Sequence, residues 1–150
     1  MSAANLRTVE ANDLHDLHEV PPLGEVPARM HAWVIRPERF GEPKQSFQTE
    51  VLPTWQPAPG EVLVRVMAAG INYNGIWAGL GKPVDVLARH GQGFHIAGSD
   101  AAGVVWKVGP GVTRWKVGDE VVVHCNHLVD PGASHKQTIW GYETGDGSFA

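Results

Sequence analysis

The chain is short of cysteine, of long apolar runs and of clustered positive charge, and each shortage closes off a class of function. Cys125 is the one cysteine in 150 residues, so no internal disulfide can form. No apolar stretch approaches the length of a membrane-spanning helix or of a signal-peptide core, which makes a membrane role unexpected and the cytoplasm the expected compartment. Lys and Arg number 12 against 16 Asp and Glu, a net charge of −4, and the basic residues are scattered. That leaves no positive field for nucleic acid. A G-x-G-x-x-G motif after a strand is missing too, and with it the fingerprint of a dinucleotide-binding Rossmann unit.

What is present suits a soluble domain: 43% of residues are hydrophobic, enough for one real core. Residues 1–29 read as an N-terminal arm and 30–150 as the domain proper. In the arm, Leu6, Leu14 and Leu17 fit one face of a short helix, with Asp13, His15, Asp16 and His18 facing out, and Pro21-Pro22 ends it. Strands fit Met30 to Arg36 and Phe47 to Leu52. Val62, Val64 and Val66 share one face, the pattern of a strand with one side in the core. Asn72 to Leu80 is compact and helical, and its small residues Gly75, Ala78 and Gly79 allow close packing. Asp85 to Arg89 fits another short helix, and His127 to Thr138, broken by Pro131-Gly132, reads as a loop. The expected fold is mostly β with short helices.

Two glycine-marked stretches sharpen this. Gly98-Ser-Asp-Ala-Ala-Gly103 leads into Val104, Val105 and Val108, then the turn Gly109-Pro110-Gly111, then Gly118-Asp119 and a second apolar run, Val121 to Val123. Glycine supplies the positive φ and close backbone approach such corners need. This order resembles the catalytic domain of medium-chain dehydrogenases and reductases, a GroES-like barrel, from about Met30 onward. Zinc-dependent members carry Cys where this chain has Asn72 and a His-Glu pair where it has Ser99 and Asp100. Neither an amide nor a hydroxyl is a competent zinc ligand, and the four-cysteine structural zinc lobe is missing. The resemblance is to the zinc-free side of the superfamily, with no metal expected and the Rossmann domain lying outside these residues.

Three further pieces, DLHEVPPLGEVPARMHAWVIR, GINYNGIWAGLGKPV and IWGYETGDGSFA, look like crotonyl-CoA carboxylase/reductase, the ethylmalonyl-CoA-forming enoyl reductase family. That resemblance implies an NADPH-dependent enzyme that adds hydride to the β-carbon of an enoyl-CoA thioester and joins carbon dioxide to the α-carbon. It also implies a homo-oligomer when the chain is complete, and a fragment without hydride-transfer activity when it is not. Carbon dioxide has neither net charge nor dipole, so a site holds it by donors aimed at its oxygens, where negative charge grows as the bond forms. Water must stay out, because protonating the enolate gives plain reduction. By resemblance, Asn72 or Asn74, the Tyr142 backbone amide and a water held by Glu143 serve this pocket. A histidine partner is expected from beyond these residues. Asn72 and Tyr73 fall beside the nicotinamide end of the cofactor, and Trp77 beside the acyl chain.

Plainer readings stand next to these. Asn72 and Asn74 also suit helix capping, Glu143 a solvated loop, Tyr142 simple packing. His124 and His127, like His15 and His18, have metal-pair spacing but lack a convincing third ligand. Asp100 is expected to brace its loop by hydrogen bonds. Cys125 is expected to be a small buried residue, and most of the six tryptophans core or interface. Two rivals remain: a non-carboxylating enoyl-CoA or quinone reductase of the same superfamily, and a non-catalytic GroES-like module used for protein contacts.

Overall fold

A computed structural model describes residues 13–128 and 137–150. In chain order it contains β1 (Arg29–Ile35), a 3-10 turn (Pro37–Arg39), α1 (Pro43–Ser46), β2 (Gln48–Pro53), β3 (Val62–Ala68), α2 (Tyr73–Leu80), α3 (Val86–His90), β4 (His95–Ile96), β5 (Ala101–Val108), β6 (Glu120–Val123), β7 (Asn126–Leu128) and β8 (Gln137–Ile139). The strands form three small sheets, ordered β2-β1-β4, β3-β5-β6 and β7-β8. The chain groups into two compact units, one of residues up to His31 with Val51–Arg65 and Gly103–Val121, the other of Ala32–Glu50, Val66–Ala102 and Val122–Ala150.

In the first unit Val105 is fully buried, and Trp106 packs with its indole Nε1–H donating to the Glu25 carbonyl at 2.8 Å. The turn after β5 is tied by Gly109 N–H to Glu61 O at 2.8 Å and Gly60 N–H to Pro110 O at 2.9 Å. A Cβ at Gly109 would collide with the Ala58 carbonyl, so this corner requires glycine. The arm is joined to β1 by Arg29 N–H donating to Asp13 O at 2.7 Å. No helix forms in its described residues 13–24, which make turns and irregular chain; His18 takes a positive φ of 76° and Leu17 is exposed. Leu6 lies outside the described residues. His15 does not face out but sits half-buried with Nδ1 3.3 Å from Glu19. β3 also departs from expectation, since Val62, Val64 and Val66 are no more buried than Leu63 and Arg65. It is an edge strand of its sheet, and alternation marks the strand without securing a covered face.

The second unit holds a core of Ile35, Ala78, Val86, Leu87, Ala97 and Tyr142, flanked by Phe40, Phe47, Val84, Ile139 and Phe149. Burying one such large apolar side chain contributes about 1.5–3 kcal/mol. β1 and β4 pair antiparallel, Val34 opposite Ile96. The small residues of α2 do what their size suggests: a Cβ on Gly79 would lie 2.6 Å from Ser46 Oγ, so α1 approaches only because glycine is there. Glu50 clamps the guanidinium groups of Arg36 and Arg39 at 2.6 and 2.7 Å. The expected loop after Asn126 is strand at both ends, with His127 opposite Thr138. Three-residue strands are too short to leave a periodic signal.

Of the six tryptophans only Trp106 is buried, while Trp33, Trp77 and Trp115 are 52%, 41% and 38% exposed. Most are therefore not core residues, since so large a ring is seldom wholly covered in a small domain; the interface half of the expectation is untouched by a single chain.

Candidate active site

Asn72 sits just before α2 in extended conformation, and its Oδ1 accepts Asn74 N–H at 3.0 Å as an N-cap. Its other end faces the loop before β5. Nδ2 is 3.2 Å from Ser99 Oγ and 3.2 Å from Asp100 Oδ2. Asn74 Nδ2 reaches the same Ser99 Oγ at 3.3 Å. Capping and the site role are therefore compatible in Asn72, but both of its amide hydrogens are spent. Among the described residues, Asn74 keeps one amide hydrogen and its carbonyl oxygen unused.

Asp100 braces as expected, with Oδ1 accepting Gly70 N–H at 2.7 Å while Oδ2 takes Asn72. A Cβ on Gly70 would stand 2.6 Å from that oxygen, so glycine permits the bond. Ser99, nearly fully buried, is the hub both amides share. A cleft of about 520 Å³ opens over this group, lined by Asn72, Asn74, Ser99 and Asp100 on one side and 122–125 on the other. Cys125 is half-exposed on that wall rather than buried, because β6 ends at Val123 and the chain bends. Among the described residues no group of three or more His, Cys, Asp or Glu is placed to hold a metal.

Tyr142 and Glu143 do not line this cleft. They lie on the turn after β8, which Gly141 presses against the Gly98 carbonyl, closely enough that any Cβ there would collide. Both oxygens of the Glu143 carboxylate are engaged, each with acceptor capacity left: Oε1 pairs with Arg89 Nη2 at 2.7 Å, and Oε2 accepts Ile139 N–H at 2.9 Å. The Tyr142 amide donates to Ile139 O at 3.2 Å. Its side chain is buried in the core, which pushes its phenol above the usual range. The ring continues a line of aromatics, 6.5 Å from Trp77, which is 6.0 Å from the exposed Tyr73. An apolar groove of about 450 Å³ lies along the same helix, walled by Trp33, Phe47, Ile71, Ile76 and Phe149.

Sequence reasoning missed Ser99 as the hub, Arg89 as the partner of Glu143, and the far wall of the cleft. The first was within a motif already singled out. Arg89 and Glu143 are too far apart in the chain for any local pattern to join them.

A loop carrying Ser99 and Asp100 onto the cap of a short helix, amid small sheets, defines a GroES-like domain in which amide and hydroxyl stand at the centre. Residues 58–150 match the alcohol dehydrogenase GroES-like domain, and the chain belongs to that family. It is similar to the crotonyl-CoA carboxylase/reductase of Cereibacter sphaeroides, 59% identical over 92% of this chain and 34% of that protein. A solved crotonyl-CoA carboxylase/reductase superposes with a TM-score of 0.86 at 61% identity, covering 91% of this chain and 34% of the other. Another, in complex with NADP, gives 0.83 at 47% identity over 91% of this chain and 37% of the other. The chain thus spans about a third of the length of these relatives.

Proposed function

We propose that this chain is part of the catalytic domain of an NADPH-dependent reductive carboxylase acting on crotonyl-CoA or a related 2-enoyl-CoA. The observation that carries the reading is the 59% identity, sustained over 92% of the chain, to a crotonyl-CoA carboxylase/reductase. The donor set fits: uncharged amides of Asn72 and Asn74 around a buried hydroxyl suit a carboxamide and a neutral gas. They do not suit zinc, and the reading is of a metal-free site. NADPH, bound mainly outside these residues, supplies hydride to the β-carbon, next to Asn72 and Tyr73.

Within the chain, Asn74 is the residue that contacts carbon dioxide, since it alone of the two keeps an unused amide hydrogen to donate. Asn72 positions it through the cap and through Ser99. Glu143 holds an ordered water from a carboxylate fixed by Arg89, the Tyr142 amide must exchange its Ile139 bond to reach the gas, and Trp77 borders the acyl chain. The product is ethylmalonyl-CoA or an analogue. Cytoplasmic location and homo-oligomeric assembly belong to the same reading.

The test is incorporation of labelled bicarbonate by the native gene product with crotonyl-CoA and NADPH. Label in the acyl product, consumed in step with NADPH, is expected. NADPH consumption with no label makes the enzyme a plain reductase, and neither makes the domain a contact module.

A further inference from the structure

His90 and His95 are buried or half-buried, are used by nothing described above, and lie against the turn that carries Tyr142 and Glu143. His95 is fully enclosed, and His90 Nε2 is 3.2 Å from His95 Nδ1. The rings are within 16° of parallel with centroids 5.4 Å apart. With their nitrogens in hydrogen-bond contact, that is the geometry of two rings edge to edge in nearly one plane, not of a face-to-face pair.

The proton positions along this pair follow from one backbone group. Gln92 N–H donates to His90 Nδ1 at 3.2 Å, and a backbone amide can only donate. Neutral His90 therefore carries its proton on Nε2 and gives it to His95 Nδ1. Neutral His95 must then carry its own on Nε2. That nitrogen is buried with no hydrogen-bond partner among the described residues, and the backbone of Gly141 and Thr144 lies close enough to the ring to favour its protonated form.

We infer that His90 and His95 form a directional chain of neutral imidazoles, running from the Gln92 amide to the 141–144 turn, that positions Tyr142 and Glu143 for the reaction. The inference deepens the proposed function and rests on it for the importance of that turn. The pair acts from the same helix as the ion pair: Arg89 holds the Glu143 carboxylate from outside while the next residue, His90, starts the chain within. A second proton on either ring breaks the order, since His90 would then present a donor to the Gln92 amide and His95 a donor to His90. Burial holds both rings toward the neutral form, opposed by Asp85 and Asp146 facing His90 and by Asp146 facing His95. Arg89 and Glu143, the remaining charges nearby, compensate each other.

The experiment is long-range ¹H–¹⁵N NMR of the imidazoles, with backbone amide shifts, on the 150-residue chain and its His90→Leu and His90→Gln forms. The expected result is the Nε2–H tautomer for both rings. His90→Leu should release His95 from a single tautomer and move the amides of residues 141–144, leaving Val105 unmoved. His90→Gln, which keeps a donor near the Nε2 position, should restore both. A proton on His95 Nδ1, or 141–144 amides indifferent to His90→Leu, overturns the inference. In the native gene product His90→Leu should lower the ratio of carboxylated to merely reduced product several-fold, with rescue by His90→Gln. A wild-type enzyme that never carboxylates sinks the functional reading instead, and the tautomers still decide the pair.

Discussion

The side-chain amide of Asn72 lies 3.2 Å from Oδ2 of Asp100, joining the start of α2 to the loop before β5. Here the pair is an amide donating to a carboxylate, and the other carboxylate oxygen holds the Gly70 backbone. The two elements are bridged by hydrogen bonds, and Asn74 is left facing the cleft.

Because Asn72 both caps and contacts, the two roles separate by substitution. Asn72→Ser keeps an N-cap of comparable quality, so Asn72→Ala should be the less stable of the two by about 1 kcal/mol. Both remove the donor to Ser99 and Asp100. Equal loss of activity in the native gene product, with unequal denaturation midpoints, is the expected outcome; full activity in the serine form would leave only the cap.

Asp100→Ala removes the acceptor of two hydrogen bonds, one of them charge-assisted to backbone. A cost of about 1–2 kcal/mol is expected by urea denaturation, reduced by the exposure of the carboxylate. Faster amide exchange at Gly70 should accompany it.

Gly141 has a φ of 68° and its missing Cβ is filled by the Gly98 carbonyl. Gly141→Ala should therefore destabilise by about 3 kcal/mol or more, combining a strained backbone with a steric clash. A melting temperature near wild type would show that the two loops are not in contact.

Stability should depend on His95 in weakly acidic solution. Burial, followed by the nearby His90, lowers its pKa from 6.5 to about 4. The folded state binds fewer protons than the unfolded chain between those values. Its contribution is therefore complete above about 6.5 and declines as pH falls toward 4, by up to roughly 3 kcal/mol. His95→Gln should flatten that part of the stability profile even if its stability at neutral pH is lower.

Glu50 titrates in the usual carboxylate direction. Its hydrogen bonds to Arg36, and then Arg39, hold its pKa below 4.5 against the opposing effect of burial. The stabilisation is present above the unfolded value and is lost as pH falls through the folded one. Glu50→Gln should cost about 1 kcal/mol at neutral pH, the partly exposed arginines limiting the effect, and should remove the acid sensitivity it contributes.

Local chemistry made much of this legible. Asn72 and Asp85 announced helix starts, and each accepts the backbone amide its cap position predicts. Gly109-Pro110-Gly111 announced its turn, and the missing metal ligands at Asn72 and Ser99 were plain in the sequence. In the described part of the arm, Leu14 and Leu17 at helical spacing make no helix, since Pro21-Pro22 follow closely. Trp33, Trp77 and Trp115 stay partly exposed because hydrophobicity predicts a preference for burial and not the area available to satisfy it.

By itself the sequence determined the strands β1, β2 and β3, the helices α2 and α3, the glycine corners, the uncharged character of the Asn-Tyr-Asn motif and the family likeness. These follow from steric limits and hydrogen-bonding groups within a few residues. Only the tertiary structure decided that Ser99 joins both asparagines, that Arg89 holds Glu143, that Asn74 keeps spare hydrogen-bonding groups, and that His90 and His95 meet. Those pairings depend on which loops the core draws together; the Ser99 and Arg89 pairs span 25 to 54 residues, and His90 and His95, only five apart, sit on a helix and a strand whose turn no local pattern fixes.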